Sequence, residues 1–271
     1  MKNNFYHLLR VVPVFLLAMT GSLPCAGAQT VMNIQNTTTM EPNQKTPEVS
    51  TEELRKILAE KSATVFDARP FKEYAVSHIP GAVNVSAKPG VSSSLYISDA
   101  AEIGRLLKGD KTAPVVLYCN GPFCGKSKRL AEELLEAGHV SVRRYQLGIP
   151  VWRAVGGSAE IETEGLQYVM EKDRTAAWID ARDPEEFRAS SLPNTRNLPQ
   201  SGLKPGKDAG EVKKAKDDGR LPMEDHNTRI IVFGRDGAQA RAVAEALARE
   251  AFHNVSFFAG TFEKMKTALG L

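Results

Sequence analysis

The chain lacks a long hydrophobic run, and its longest apolar stretch, residues 11–23, is short for a membrane span. It also lacks an excess of one charge. Thirty-five Lys and Arg face 32 Asp and Glu, and no basic run is interleaved with aromatic residues, so nothing in it suggests a nucleic-acid partner. Histidine is scarce and scattered. His7, His78, His139, His226 and His253 show no ligand spacing, so neither a metal nor another cofactor is expected. Cysteine is scarce too, with Cys25, Cys119 and Cys124 the full set of three.

What remains is the composition of an ordinary globular protein, 42% hydrophobic and 25% charged over 271 residues, with room for two domains. Residues 1–28 stand apart. Lys2 and Arg10 precede the apolar stretch, and Ala26-Gly27-Ala28 offers a small-residue cleavage site, so a cleaved secretory signal is expected. That implies a periplasmic or secreted protein, with no membrane span after cleavage. Removing Lys2 and Arg10 takes the formal charge from +3 to about +1. Residues 29–47, rich in Asn, Thr and Gln, read as a flexible linker. In an exported chain the two remaining cysteines raise the prospect of a disulfide, though the four residues between them do not guarantee its geometry.

The most informative stretch is Val-Val-Leu-Tyr-Cys at 115–119, followed by Asn120, Gly121, Pro122, Phe123, Cys124, Gly125, Lys126 and Ser127. A short apolar strand pattern delivers Cys119 into a loop broken by Gly and Pro. A helical pattern over 128–137 follows, with Leu130, Leu134 and Leu135 on one face. A thiol between a strand end and a helix start lies where amide N–H groups and the helix dipole favour an anion, which lowers its pKa and supplies thiolate. A buried structural cysteine is the competing reading.

The chain also repeats itself. Val65-Phe66-Asp67-Ala68-Arg69, then Glu73, then His78-Ile79-Pro80-Gly81, returns as Trp178-Ile179-Asp180-Ala181-Arg182, Glu186 and Leu192-Pro193-Asn194. Asp67 to Asp180 and Pro80 to Pro193 are each 113 residues apart, a period that means duplicated domains rather than a solenoid. Each half alternates short apolar strands with helices, which argues for an α/β fold: a parallel-type sheet covered on both faces, its site at the strand carboxyl ends. A capping box at Ser50–Glu53 opens the first helix. A short helix over 69–75 would hold Arg69 and Glu73 as an i,i+4 ion pair. Asp67 and Asp180 read as caps or arginine partners, His78 as a packed turn residue, and Trp152 as a core plug. The charged segment 207–220 reads as a solvated face.

These motifs, with Leu147-Gly148-Ile149-Pro150-Val151-Trp152, resemble the rhodanese superfamily, and the resemblance covers nearly all of residues 50–268 as two tandem copies. It implies two domains, 48–157 and 160–271, each a small, mostly parallel sheet flanked by helices. The implied activity is that of a sulfurtransferase of the thiosulfate sulfurtransferase type. Cys119, the catalytic nucleophile, would take sulfane sulfur from a small sulfur-containing anion and pass it as a persulfide to a thiol, cyanide or a protein thiol. Residues 120–127 would form the substrate cradle, Lys126 assisting anion binding, with Asp67, Arg69 and His78 in support. The helix is expected near Ser127, giving a longer loop than common members have. The related phosphatases and arsenate reductases end their loop in Arg; Gly125 and Lys126 stand near that end here, which disfavours phosphoryl chemistry. In the second copy Gly234 replaces the thiol and Asp236 opposes an anion, so that half reads as a retired site that packs on the first domain and shapes its cleft. Cys124 leaves two other functions open: a thiol–disulfide oxidoreductase using both cysteines, and a non-enzymatic persulfide carrier.

Overall fold

The structure is a computed structural model that describes residues 33–92 and 95–271. The expected signal segment at 1–28 lies outside the described residues. The first half begins with helix α1 (Thr51–Glu60), capped by Ser50, whose hydroxyl accepts from Glu53 N. Strand β1 (Thr64–Asp67), helix α2 (Phe71–Val76), strand β2 (Val83–Asn84) and helix α3 (Asp99–Leu106) follow. Then come strand β3 (Val115–Tyr118), helix α4 (Gly125–Glu136), strand β4 (Val142–Tyr145) and helix α5 (Gly148–Ala154). The four strands form a parallel sheet in the order β2-β1-β3-β4.

The second half adds an edge strand and otherwise repeats this plan. It runs through β5 (Ala159–Ile161), α6 (Thr163–Lys172), β6 (Ala177–Asp180), α7 (Pro184–Ala189) and β7 (Thr195–Asn197). It closes with α8 (Gly210–Asp217), β8 (Ile230–Phe233), α9 (Gly237–Arg249), β9 (Val255–Phe258) and α10 (Phe262–Leu269). Its sheet is also parallel, in the order β5-β9-β8-β6-β7. In the first half a single parallel bridge from Glu48 to Arg144 takes the place of that edge strand.

Alternation along the strands builds the core. On β3, Val116 and Tyr118 join the apolar cluster on one face of the sheet, while Val115 and Leu117 join the cluster on the other. Both faces are covered, so all four residues are buried. The second sheet is likewise packed on both sides. Trp152 is buried, its indole N–H donating to Ser158 O at 2.9 Å, in keeping with its reading as a plug.

Two expectations need correction. The linker was expected to be free through residue 47, but its described part packs on the first domain. There Glu41 accepts from Arg144 (3.0 Å) and Lys128 (2.6 Å), and buried Thr46 accepts from Arg144 Nε (2.9 Å). Arg144 is itself buried, so the charged partner draws the segment down to it. The short helix begins at Phe71, not at Arg69, with Pro70 at its N-cap, because proline fits a helix entry and not its interior.

Candidate active site

Cys119 leaves β3 at its carboxyl end and is buried. Cys124 is the N-cap residue of α4 and is joined to Cys119 by a disulfide, with Cα atoms 6.3 Å apart. The helix therefore starts at Gly125, directly after the second cysteine, and the connecting loop is residues 119–124, shorter than expected. No side chain caps α4, so the first-turn amides at Gly125, Lys126 and Ser127 keep their N–H groups free of a capping oxygen. The Cys119 sulfur is thus tied to the positive end of a twelve-residue helix.

Two residues outside the predicted cradle hold this loop in shape. Gln146, buried just after β4, donates through Nε2 to Pro122 O (3.0 Å) and Cys124 O (3.3 Å). Its Oε1 accepts from Ser127 Oγ at 3.3 Å, so Ser127 serves the loop's support. Gly148 has φ +63°, and a Cβ there would overlap the Cys119 carbonyl oxygen and Gly121 N, so only glycine lets α5 approach the loop. Ile149 N donates to Cys119 O at 3.3 Å. Gln146 adjoins the Leu147-Gly148 motif, which is the one signal in the sequence that could have pointed to it.

The remaining predicted residues divide. Gly121 is buried, with its carbonyl accepting from Cys124 N at 2.9 Å, whereas Phe123 stands fully exposed at the loop's tip. Asn120 turns to Glu73, donating to Oε2 at 2.7 Å, so a carboxylate that the loop itself lacks is brought near its start. Lys126 is not free to serve an anion. Its Nζ lies 3.2 Å from Asp99 Oδ2 and 3.4 Å from Ser86 Oγ, because α3 presents a carboxylate to this side of α4.

Asp67 and Arg69 form a buried pair beneath the site, and Arg69 does not pair with Glu73. Arg69 lies before α2 in irregular backbone, so the helical i,i+4 spacing does not exist. Instead Arg69 donates from Nε and Nη2 to Asp67 and from Nη2 to Ser77 O (2.7 Å). Tyr118 OH donates to Asp67 Oδ2 at 2.6 Å, and burial together with the Asp67 charge pushes its phenol well above the ordinary range. The second domain repeats the pair as Asp180 and Arg182, with Ser191 donating to Asp180 in place of the tyrosine. Since the pair persists where the thiol is absent, its role is structural.

His78 is buried, its Nδ1 3.0 Å from Tyr74 O and its ring stacked on Tyr74. Burial pushes its pKa down to about 4, against a smaller raising effect of the Tyr74 carbonyl. It faces Glu160 and Glu162, not the cysteine loop. No spacing rule finds this cluster, because its members come from two domains.

The second-copy loop, residues 234–236, is shorter and closed. Asp236 caps α9 by accepting from Gln239 N (2.9 Å), and Gln239 Oε1 accepts from Arg235 N (2.8 Å). A Cβ on Gly234 would lie 2.9 Å from Gln239 Oε1. The space for a thiol and its anion is filled by side chains. The second domain does shape a cleft with the first, of about 1600 Å³, bordered by Arg55, Trp152, Glu160, Asp236 and Arg241. Residues 119–127 do not border it, so it is the second-copy loop, not the cysteine loop, that opens there.

A family model described as rhodanese-like domain matches residues 50–155 and again 164–268. The chain belongs to the rhodanese-like family. Among similar proteins, an HTH-type transcriptional regulator of Mycobacterium tuberculosis is 32% identical over 93 residues, which cover 34% of this chain and 35% of the regulator. A solved structure of a persulfide-bearing EanB variant with ergothioneine is 16% identical, with a TM-score of 0.36, over 82% of this chain and 61% of that one. A thiosulfate sulfurtransferase from Pseudomonas aeruginosa is 22% identical, with a TM-score of 0.34, over 78% of this rhodanese-like chain and 43% of the other. Among the described residues no helix is long and apolar enough to cross a membrane.

Proposed function

We propose that this protein is an exported sulfurtransferase, periplasmic or secreted, that moves sulfane sulfur through a persulfide on Cys119. The observation that carries this reading is the position of the Cys119 sulfur, bonded to the N-cap residue of the uncapped helix α4. An external thiol first reduces the disulfide. The Cys119 thiolate, favoured by the helix terminus, then attacks the sulfane sulfur of an anion such as thiosulfate. The sulfur–sulfur bond of the donor breaks, sulfite leaves with the electron pair, and Cys119 keeps the persulfide. The amides of Gly125, Lys126 and Ser127 stabilise the negative terminal sulfur. A thiolate or cyanide acceptor attacks that sulfur, and Cys119 departs as thiolate, ready for another cycle.

The disulfide itself favours a second reading, in which Cys124 takes part. In that scheme the Cys124 thiolate attacks Cys119 Sγ, expels the outer sulfur as hydrosulfide and restores the disulfide. An external dithiol must then supply two electrons for each cycle. Intact mass and thiocyanate release separate the two. The reduced protein is expected to gain one sulfur from thiosulfate and lose it to cyanide with turnover, and Cys124→Ser is expected to retain this while Cys119→Ser loses it. Retention in Cys119→Ser with loss in Cys124→Ser overturns the assignment, whereas native protein that releases hydrosulfide and returns to the disulfide, with the added sulfur held only in Cys124→Ser, moves the case to the dithiol scheme.

A further inference from the structure

We propose that His78, Glu160 and Glu162 form a binding site for a divalent transition-metal ion, zinc in the first instance, that ties the two rhodanese-like domains together. The inference is independent of the sulfur-transfer reading, since no residue of 119–127 takes part.

The backbone brings the three side chains together. His78, just after α2, and Glu160, in β5, exchange two hydrogen bonds, His78 N to Glu160 O (3.0 Å) and Glu160 N to His78 O (2.8 Å). Residues two apart on an extended chain share a face, so Glu160 and Glu162 point the same way while Ala159 and Ile161 enter the core. The His78 ring is locked by stacking on Tyr74, with centroids 3.8 Å apart, and Nδ1 donates to Tyr74 O. That leaves Nε2 as a lone pair, 3.9 Å from Glu160 Oε2 and 3.8 Å from Glu162 Oε1. All three donor atoms fall within 4.8 Å of one another.

These are three acceptors converging on one point, and although the Gly81 N–H donates to the Glu160 carboxylate and Tyr74 OH lies near Glu162, each carboxylate keeps further lone pairs. The surrounding groups do not supply a cation. Arg241, the cation that acts on Glu160, has its guanidinium bonded to Glu245 at 2.8 Å. Tyr74 OH lies 3.2 Å from Glu162 Oε1 but also 3.1 Å from Ala82 O, and has one proton for the two. A backbone carbonyl on the far ring nitrogen is the arrangement that orients metal-binding histidines. One imidazole and two carboxylates suit zinc, manganese, iron(II) or cobalt better than calcium or magnesium. With metal–ligand bonds of about 2.0–2.2 Å, the two histidine–carboxylate separations need to close by about half an ångström, within reach of the partly exposed Glu162 side chain.

The duplication provides an internal comparison. The position matching His78 in the second domain is Ser191, which serves only as a hydrogen-bond donor to Asp180. The fold therefore does not require an imidazole there, and a second requirement has to account for His78.

The test uses the full chain with Cys119→Ser and Cys124→Ser, which removes the competing thiols. Zinc is titrated by calorimetry after chelation, and cobalt by its visible absorption. One zinc per chain is expected, together with a rise in thermal midpoint. Loss of outer partners alone costs metal sites about 10–100-fold in affinity, so Glu160→Gln and Glu162→Gln are each expected to weaken zinc by about tenfold or more and to abolish the thermal shift. Both carboxylates are partly exposed, so these variants fold even if His78→Gln does not. No saturable zinc binding, or binding that the paired Glu160→Gln/Glu162→Gln variant leaves unchanged, overturns the proposal.

Discussion

Asp67 shows how a single residue beneath the site is held by chemistry that is not catalytic. It is fully buried, and its two oxygens accept from Arg69 N (2.9 Å), Arg69 Nε (3.0 Å), Arg69 Nη2 (2.5 Å) and Tyr118 OH (2.6 Å). Removing one partner of a buried pair leaves the other charge without compensation, which costs about 3–5 kcal/mol. Asp67→Asn is accordingly expected to lower the unfolding free energy by that amount in urea denaturation. Glu73→Gln, whose carboxylate sits at the surface, is expected to stay within about 0.5 kcal/mol. Equal small effects from both would remove the structural role. The sequence made Asp67 legible as a cap or an arginine partner, without naming Arg69 as that partner. The pairing of Arg69 with Glu73 was misread because helical spacing was assumed for a residue that precedes α2.

At the scale of elements, the contrast between α4 and α9 separates an open helix terminus from a filled one. Cys124 leaves the first amides of α4 uncapped, whereas Asp236 and Gln239 occupy the equivalent ground before α9. Restoring the thiol alone is therefore not expected to restore the site. Gly234→Cys in a Cys119→Ser background is expected to gain no sulfur from thiosulfate by intact mass, because its Cβ meets Gln239 Oε1 and the Asp236 carboxylate repels the donor. A persulfide on residue 234 would refute this account. The strands and most helices could be read from apolar periodicity, which records burial. The start of α4 could not, because Gly125 and Lys126 do not enter the core and leave no apolar mark. Gln146 was missed for a related reason, since its work is hydrogen bonding to loop carbonyls, which no spacing pattern encodes.

At the scale of the whole molecule, the 113-residue period made the two domains visible but said nothing about how they meet. They meet through short contacts between residues of ordinary type. Val76 at the end of α2 packs against the second domain's cluster of Leu166, Val169 and Met265. Glu162 N donates to Ala75 O at 2.8 Å, and a Cβ on Gly165 would overlap that same carbonyl oxygen. Gly165 thus lets α6 lie directly on α2, and the two cores share a wall instead of facing each other across solvent. Domains coupled in this way melt together, because unfolding either one exposes apolar surface on the other. The native chain is expected to show one calorimetric transition. Gly165→Val forces the helices apart, so its endotherm is expected to split in two, with the earlier component displaced to lower temperature. A single transition at the native midpoint in Gly165→Val would mean that the close approach of α2 and α6 contributes nothing to holding the domains together.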